Sequence, residues 1–200
     1  MRSPVPFCIA LLSLALAACS KPSIRAVTSD TVVMAFGDSL TSGHGVSDEA
    51  SYPSILQNLL SCEVINAGIS GQDTNQGLRR LPDELEAHQP DLVILCMGGN
   101  DLLRKQSETQ TQKNLKEMIE LSRAAGANVV LIGVPKPGLL LRVPGFYEAI
   151  AEEYDLPYSD ARLPKILSSN SLKSDQIHPN EAGYQLMAEN IYGLIQKAAP

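Results

Sequence analysis

The 200-residue chain has no tryptophan, three phenylalanines, three histidines and four cysteines. Each shortage excludes something. Cys8 and Cys19 fall in the N-terminal apolar region, so only Cys62 and Cys96 remain for a folded domain, too few for a disulfide scaffold. Nothing in their spacing predicts a bridge, and Cys96, inside an apolar run, reads as a small buried hydrophobe. No Cys/His cluster carries the spacing of a zinc site. Lys and Arg number 16 against 22 Asp and Glu, with no basic cluster, which argues against nucleic acid as a partner. The phosphate loop G-x-x-x-x-G-K-[ST] is absent, and so is the nucleophile elbow G-x-S-x-G, because Thr41 stands where that motif needs glycine. The apolar run Phe7–Ala18 is too short to span a bilayer comfortably.

That run instead suits a secretory signal, with Arg2 as its positive n-region. It closes on Leu16-Ala17-Ala18-Cys19 and is followed by polar residues, a pattern that resembles the lipobox of bacterial lipoproteins. The resemblance implies that residues 1–18 are removed and that Cys19, now first, carries acyl chains anchoring the protein to a membrane without spanning it. Ser20 in place of Asp favours the outer membrane by analogy; a soluble periplasmic protein is the alternative. Residues 19–29 then form the lipidated Cys and a polar tether, and residues 30–200 one domain with a sizeable core. Losing Arg2 moves the formal net charge from −6 to −7.

Short apolar runs at Thr31–Phe36, Val64–Ala67, Leu92–Met97 and Val129–Val134 read as parallel strands buried on both faces, with a weaker fifth strand near Leu156–Ser159. Between them, helical spacing covers Pro53–Leu60, Gly77–His88 and Ser107–Ala125, and Asn180 is placed to cap a last helix. Strand–helix alternation over one domain predicts an α/β fold: a three-layer α/β/α sandwich whose parallel sheet of about five strands has a flavodoxin-like order. In such sheets ligands sit beyond the carboxyl ends of the strands.

The residues just beyond each strand are therefore informative. The first strand leads into Gly37-Asp38-Ser39-Leu40, the second into Asn66-Ala67-Gly68-Ile69-Ser70-Gly71, the third into Gly98-Gly99-Asn100-Asp101, and Asp175-Gln176-Ile177-His178-Pro179 precedes the last helix. Ester cleavage by Ser39 needs a base, and the base needs an orienting acid. Asp175 and His178 are three apart, close enough for a tight turn to bring the carboxylate to imidazole Nδ1, and Pro179 biases His178 away from helical geometry. The Ser39 N–H, the Gly71 N–H and the Asn100 amide could supply an oxyanion hole. The other histidines offer less. His88 closes a predicted helix, where a cation is comfortable, and His44 sits among small residues as a substrate contact at most. Asp38 and Asp101 read as braces for the Ser39 and Asn100 turns.

These four blocks resemble those of the SGNH (GDSL-type) hydrolases: GDSL at 37–40, the glycine block at 66–71, GGND at 98–101 and DxxHP at 175–179. The likeness spans essentially the whole domain and is greatest to the exported thioesterase I/lysophospholipase/arylesterase type, from which the lipobox departs. It implies Ser39 as nucleophile, His178 as base and Asp175 as its partner, with Ser39, Gly71 and Asn100 forming the oxyanion hole. It implies no metal and no organic cofactor, and a small acyl ester or thioester as substrate. Activity should fall in acid, since the base must be neutral. Leu102-Leu103 and Leu139-Leu140-Leu141 are the candidates for an acyl groove, or else pack beneath loops. A carbohydrate O-acetyl esterase shares this triad, though few aromatics are available to stack on sugars; a non-catalytic binding lipoprotein has no need of Ser39, Asp175 and His178 together.

Overall fold

The computed structural model describes residues 22–138 and 140–200; the signal and lipidation readings at residues 1–18 and Cys19 lie outside the described residues, as does Leu139. Five strands, β1 (Val32–Gly37), β2 (Glu63–Gly68), β3 (Leu92–Cys96), β4 (Asn128–Ile132) and β5 (Tyr158–Ser159), form one sheet in the order β2-β1-β3-β4-β5. Every pairing is parallel, as the flavodoxin-like expectation required. Central position explains composition. β3 is buried at all five positions and reads as continuous apolar residues, whereas β2, expected to be buried on both faces, is an edge strand in which only Val64 and Ala67 are buried.

Eight helices lie among the described residues: α1 (Ser39–Ser42), α2 (Tyr52–Leu60), α3 (Thr74–His88), α4 (Gly99–Leu103), α5 (Glu108–Ala124), α6 (Phe146–Glu153), α7 (Arg162–Ser168) and α8 (Glu181–Ala198). The chain moves outward from β1 to β2 through α2, then returns past β1 to β3 through α3. Right-handed crossovers of opposite direction put the two helices on opposite faces. Accordingly α2 packs with α8 on one side and α3 with α5 on the other. The core between the layers includes Phe36, Leu56, Leu81, Ile94, Leu115 and Ile191, all fully buried. Each such side chain contributes roughly 1.5–3 kcal/mol relative to exposure.

Helix starts obey local chemistry. Asp73 caps α3 through a capping box with Gln76, Ser107 caps α5, and Asn180 accepts from the Gly183 N–H at the start of α8, as its sequence position predicted. His88 ends α3 beside Glu84, a structural place. Cys62 and Cys96 are both buried and both free. α6 and α7 had no strong periodic signal, being eight and seven residues long.

Register positions the functional edge. Gly37 of β1 pairs with Gly68 of β2 and with Cys96 of β3, so the loops leaving the three strands begin at one level. At the opposite edge the stretch expected as a free tether is tied down. Ile24 is buried, its N–H donates to the Ala198 carbonyl at 3.1 Å, and Arg25 donates to the Gly126 carbonyl.

Candidate active site

Ser39 opens the single-turn helix α1. Asp38 caps it, its carboxylate accepting from the Leu40 N–H at 3.0 Å, and Gly43 closes it at φ +83°. The preceding Gly37 is dictated by space: a Cβ there would lie 2.6 Å from the Cys96 carbonyl oxygen and closer still to Thr41. Tight entry and immediate helical start leave the Ser39 N–H outside any intrahelical bond.

Its partner arrives from 139 residues away. His178 Nε2 lies 2.9 Å from Ser39 Oγ, and His178 Nδ1 lies 2.7 Å from Asp175 Oδ2. With Nδ1–H donating to the carboxylate, Nε2 presents its lone pair to the serine hydroxyl. The second Asp175 oxygen accepts from the backbone N–H of both Ile177 and His178, at 2.8 Å each. One carboxylate thus shapes the turn and orients the ring. The loop is closed by a bridge between Lys173 and Pro179 and by the Ser174 N–H donating to the His178 carbonyl at 3.0 Å.

The two acids flanking this pair differ. Burial raises the Asp175 carboxyl, but hydrogen bonds from His178 and from the Ile177 and His178 backbone outweigh it, leaving Asp175 below the usual carboxylate range. Asp38 is 1 % exposed, and burial pushes it up to about 6 against the pull of the Leu40 N–H, with the nearby Asp101 adding to the rise. Asp101 ties the GGND turn to two helices, accepting from the Thr74 N–H at 2.9 Å and from the Thr111 hydroxyl at 3.1 Å.

Among the described residues, neither the Ser39 nor the Gly71 N–H donates to a protein acceptor. Gly71 needs to be glycine for its φ of +81°; a Cβ there would meet open space. Asn100, in α4, donates through Nδ2 to the Gln72 carbonyl at 2.9 Å and, at 3.4 Å, to Asp38. Ser39, Asn100 and His178 line one groove; Gly71 sits in the adjoining loop and is not part of its wall.

Asp38, Gly99 and Gln176 also line the groove, and the rest of that wall is apolar: Leu40, Leu103, Val134, Pro135, Pro137, Leu141, Leu167 and Ile177. Of the leucines singled out in the sequence, Leu103 and Leu141 reach the groove. Leu102 turns into the protein at 9 % exposure, and Leu140, at 69 %, points to solvent. Successive residues on a short helix or an irregular segment face different ways, so a run of leucines cannot line a wall together.

Sequence reasoning missed Arg80. From α3 it donates to the carbonyls of Gly37 at 3.1 Å and Ala67 at 2.7 Å, and to the Gln72 side chain at 2.6 Å, over the Phe36 ring. It thereby joins the ends of β1 and β2 to the loop that holds Asn100. Arg104 similarly holds the Gly71 carbonyl at 2.8 Å. A lone arginine inside a helix carries no signal of this role.

His44 comes against His178: the two ring centroids are 4.3 Å apart. His44, Asp175 and His178 bring potential metal-ligand atoms within 4.8 Å of one another. Both nitrogens of His178 are already engaged, however, with Asp175 and Ser39, which suits proton transfer better than ligation.

Residues 35–186 match the GDSL-like Lipase/Acylhydrolase family. The chain is 33 % identical over 175 residues to the Thioesterase 1/protease 1/lysophospholipase L1 of Escherichia coli (strain K12), covering 84 % of each. It is 40 % identical over 134 residues to the Arylesterase of Vibrio mimicus, covering 64 % of this chain and 66 % of that one. The psychrotrophic esterase EstA from Pseudoalteromonas sp., in a structure inhibited by monoethylphosphonate, superposes with a TM-score of 0.76 at 27 % identity, covering 84 % of this chain and 98 % of that one.

Proposed function

The chain belongs to the GDSL-like lipase/acylhydrolase family, and on that premise we propose that it is a serine esterase cleaving acyl esters and thioesters through an acyl-Ser39 intermediate. His178 Nε2 takes the proton of the Ser39 hydroxyl as its oxygen attacks the acyl carbon, and Asp175 stabilises the imidazolium that forms. The tetrahedral oxyanion is received by the N–H groups of Ser39 and Gly71 and by Asn100 Nδ2, donors fixed before charge develops. Asn100 exchanges its contact with the Gln72 carbonyl for the oxyanion. Collapse expels the alcohol or thiol with the proton from His178. Water, deprotonated by the same nitrogen, then releases the acid. No step calls on a metal or an organic cofactor.

The observation that carries this reading is the hydrogen-bonded path Asp175–His178–Ser39, at 2.7 and 2.9 Å, opening on an apolar groove. The groove favours acyl chains longer than acetyl, since eight apolar side chains exceed what one methyl group can fill. Hydrolysis of p-nitrophenyl acetate through decanoate, beside Ser39→Ala, tests both points. Turnover abolished in the variant and rising with chain length supports them; wild-type turnover no greater than the variant's defeats the esterase reading.

The same proposal places the enzyme in the bacterial envelope: residues 1–18 removed, acyl chains on Cys19, and the domain from residue 30 onward facing the periplasm at the outer membrane. Among the described residues no helix is long and apolar enough to cross a membrane. Membrane-fraction activity that becomes soluble in Cys19→Ser supports the anchor, and unchanged fractionation opposes it.

A further inference from the structure

The docked N-terminal segment carries information about direction. Helix α8 begins three residues after His178 and runs for 18 residues, about 27 Å at 1.5 Å per residue, to Ala198. The Ala198 carbonyl is where the Ile24 N–H is bound, at 3.1 Å. Arg25 donates to the carbonyls of Asp91, one residue before β3, and Gly126, two residues before β4. Pro22 lines one shallow surface pocket with Leu156, Leu194 and Ala198. The segment from Pro22 is therefore strapped under the amino ends of the strands, while Ser39, Asn100 and His178 stand at the carboxyl ends, a helix length away.

Cys19 is three residues before Pro22, and three residues reach at most about 11 Å. Resting on the anchoring proposal, the geometry points to an enzyme held base-down on its bilayer, with the groove opening away from the leaflet that anchors it. Its substrates are then water-soluble acyl esters or thioesters, or esters of material across the compartment. Acyl esters embedded in its own leaflet lie below the base, while the nucleophile stands about 27 Å above it. Had residues 22–29 hung free, a chain of that length would have let the domain turn over; strapped, they do not.

The test uses the full-length acylated protein in phospholipid vesicles. Cys62 and Cys96 are buried, so a thiol dye reports a single introduced cysteine. Ala26→Cys labels the base and Leu140→Cys the rim beside the groove. Energy transfer to a headgroup acceptor should be at least three-fold stronger from the base. Inserting 40 Gly/Ser residues between Lys21 and Pro22, with a reach of about 35 Å, should abolish that difference. Activity gives a second reading: the ratio of turnover on bilayer-held p-nitrophenyl palmitate to that on p-nitrophenyl acetate. It should be at least five-fold lower in vesicles than in detergent for the parent chain, and the insertion should restore it. Equal energy transfer from the two positions, or no response of the ratio to the insertion, overturns the orientation. Intact-mass measurement separates the two failures: an unmodified Cys19 removes the anchoring reading itself, whereas an acylated Cys19 with equal transfer removes the orientation alone.

Discussion

The loop that carries Ser39 and the loop that carries His178 solve the same problem by opposite means. Around Ser39 the chain is enclosed: Asp38 is 1 % exposed, Thr41 is fully buried, and Thr41 and the Cys96 carbonyl of β3 crowd Gly37. Precision there comes from packing. The Lys173–Pro179 loop has a half-exposed acid, with 46 % of the Asp175 side chain open to solvent, and is held by hydrogen bonds among its own residues. Ser39 is fixed by the core and His178 by a local turn. Asp38, next to Ser39 in sequence, is consequently sealed away from His178, while Asp175, far along the chain, bonds its ring.

The largest effect that sharpens this contrast is on chemistry. Ser39→Ala and Asp175→Asn should each lower kcat/KM by about 10⁴-fold or more. They should differ in stability. Asp175→Asn also weakens two backbone bonds and should lower the urea midpoint by the equivalent of about 1 kcal/mol, whereas Ser39→Ala should leave it almost unchanged. An equal loss of stability in both would erase the distinction between the loops.

Asn100→Ala should reduce kcat by about 10²- to 10³-fold with little change in KM, as expected of a donor used only in the transition state. A rise in KM with kcat preserved would make Asn100 a substrate-binding group instead.

Next comes pH. Asp38 rises from an ordinary 3.8 to about 6 on folding, so between those values the folded protein binds more protons than the unfolded chain and loses stability as pH increases. That difference corresponds to about 3 kcal/mol. Asp175 acts in the reverse sense: its depressed carboxyl stabilises the fold above the unfolded value, and that contribution disappears as pH falls through its folded one. The denaturation midpoint of the parent protein should therefore decline between pH 4 and pH 7, and Asp38→Asn should lose that decline. An unaltered pH profile would show that Asp38 is not the buried acid responsible.

The smallest expected effect is on specificity. Leu141→Asp places a charge in the groove wall and should cut decanoate turnover about 10-fold more than acetate turnover, while Leu140→Asp at the exposed neighbour should spare both. Equal losses on the two esters for Leu141→Asp would remove the acyl-groove assignment.

Much of this was legible because strand-end chemistry is local. Apolar runs marked four strands to within a few residues, most cleanly β1, β3 and β4, since a strand buried on both faces has few polar positions to confuse it. The weak fifth strand shrank to Tyr158–Ser159, and the short α6 and α7 fell below the length at which helical periodicity stands out. Asp175 and His178 were readable as a pair because three residues suffice for a turn. Arg80 was not, because its carbonyl partners on Gly37 and Ala67 become neighbours only once β1 and β2 pair.

Residue type and short-range spacing belong to the chain itself, and they sufficed for the family, for the order of the strands and the longer helices, and for which side chains were chemically able to act. Folding in three dimensions settled which of two nearby acids is buried, which leucines face the groove, and that the segment before β1 is strapped to the end of the sheet opposite Ser39. Those depend on contacts between residues far apart in sequence, set by crossover handedness and close packing, and no local pattern encodes them.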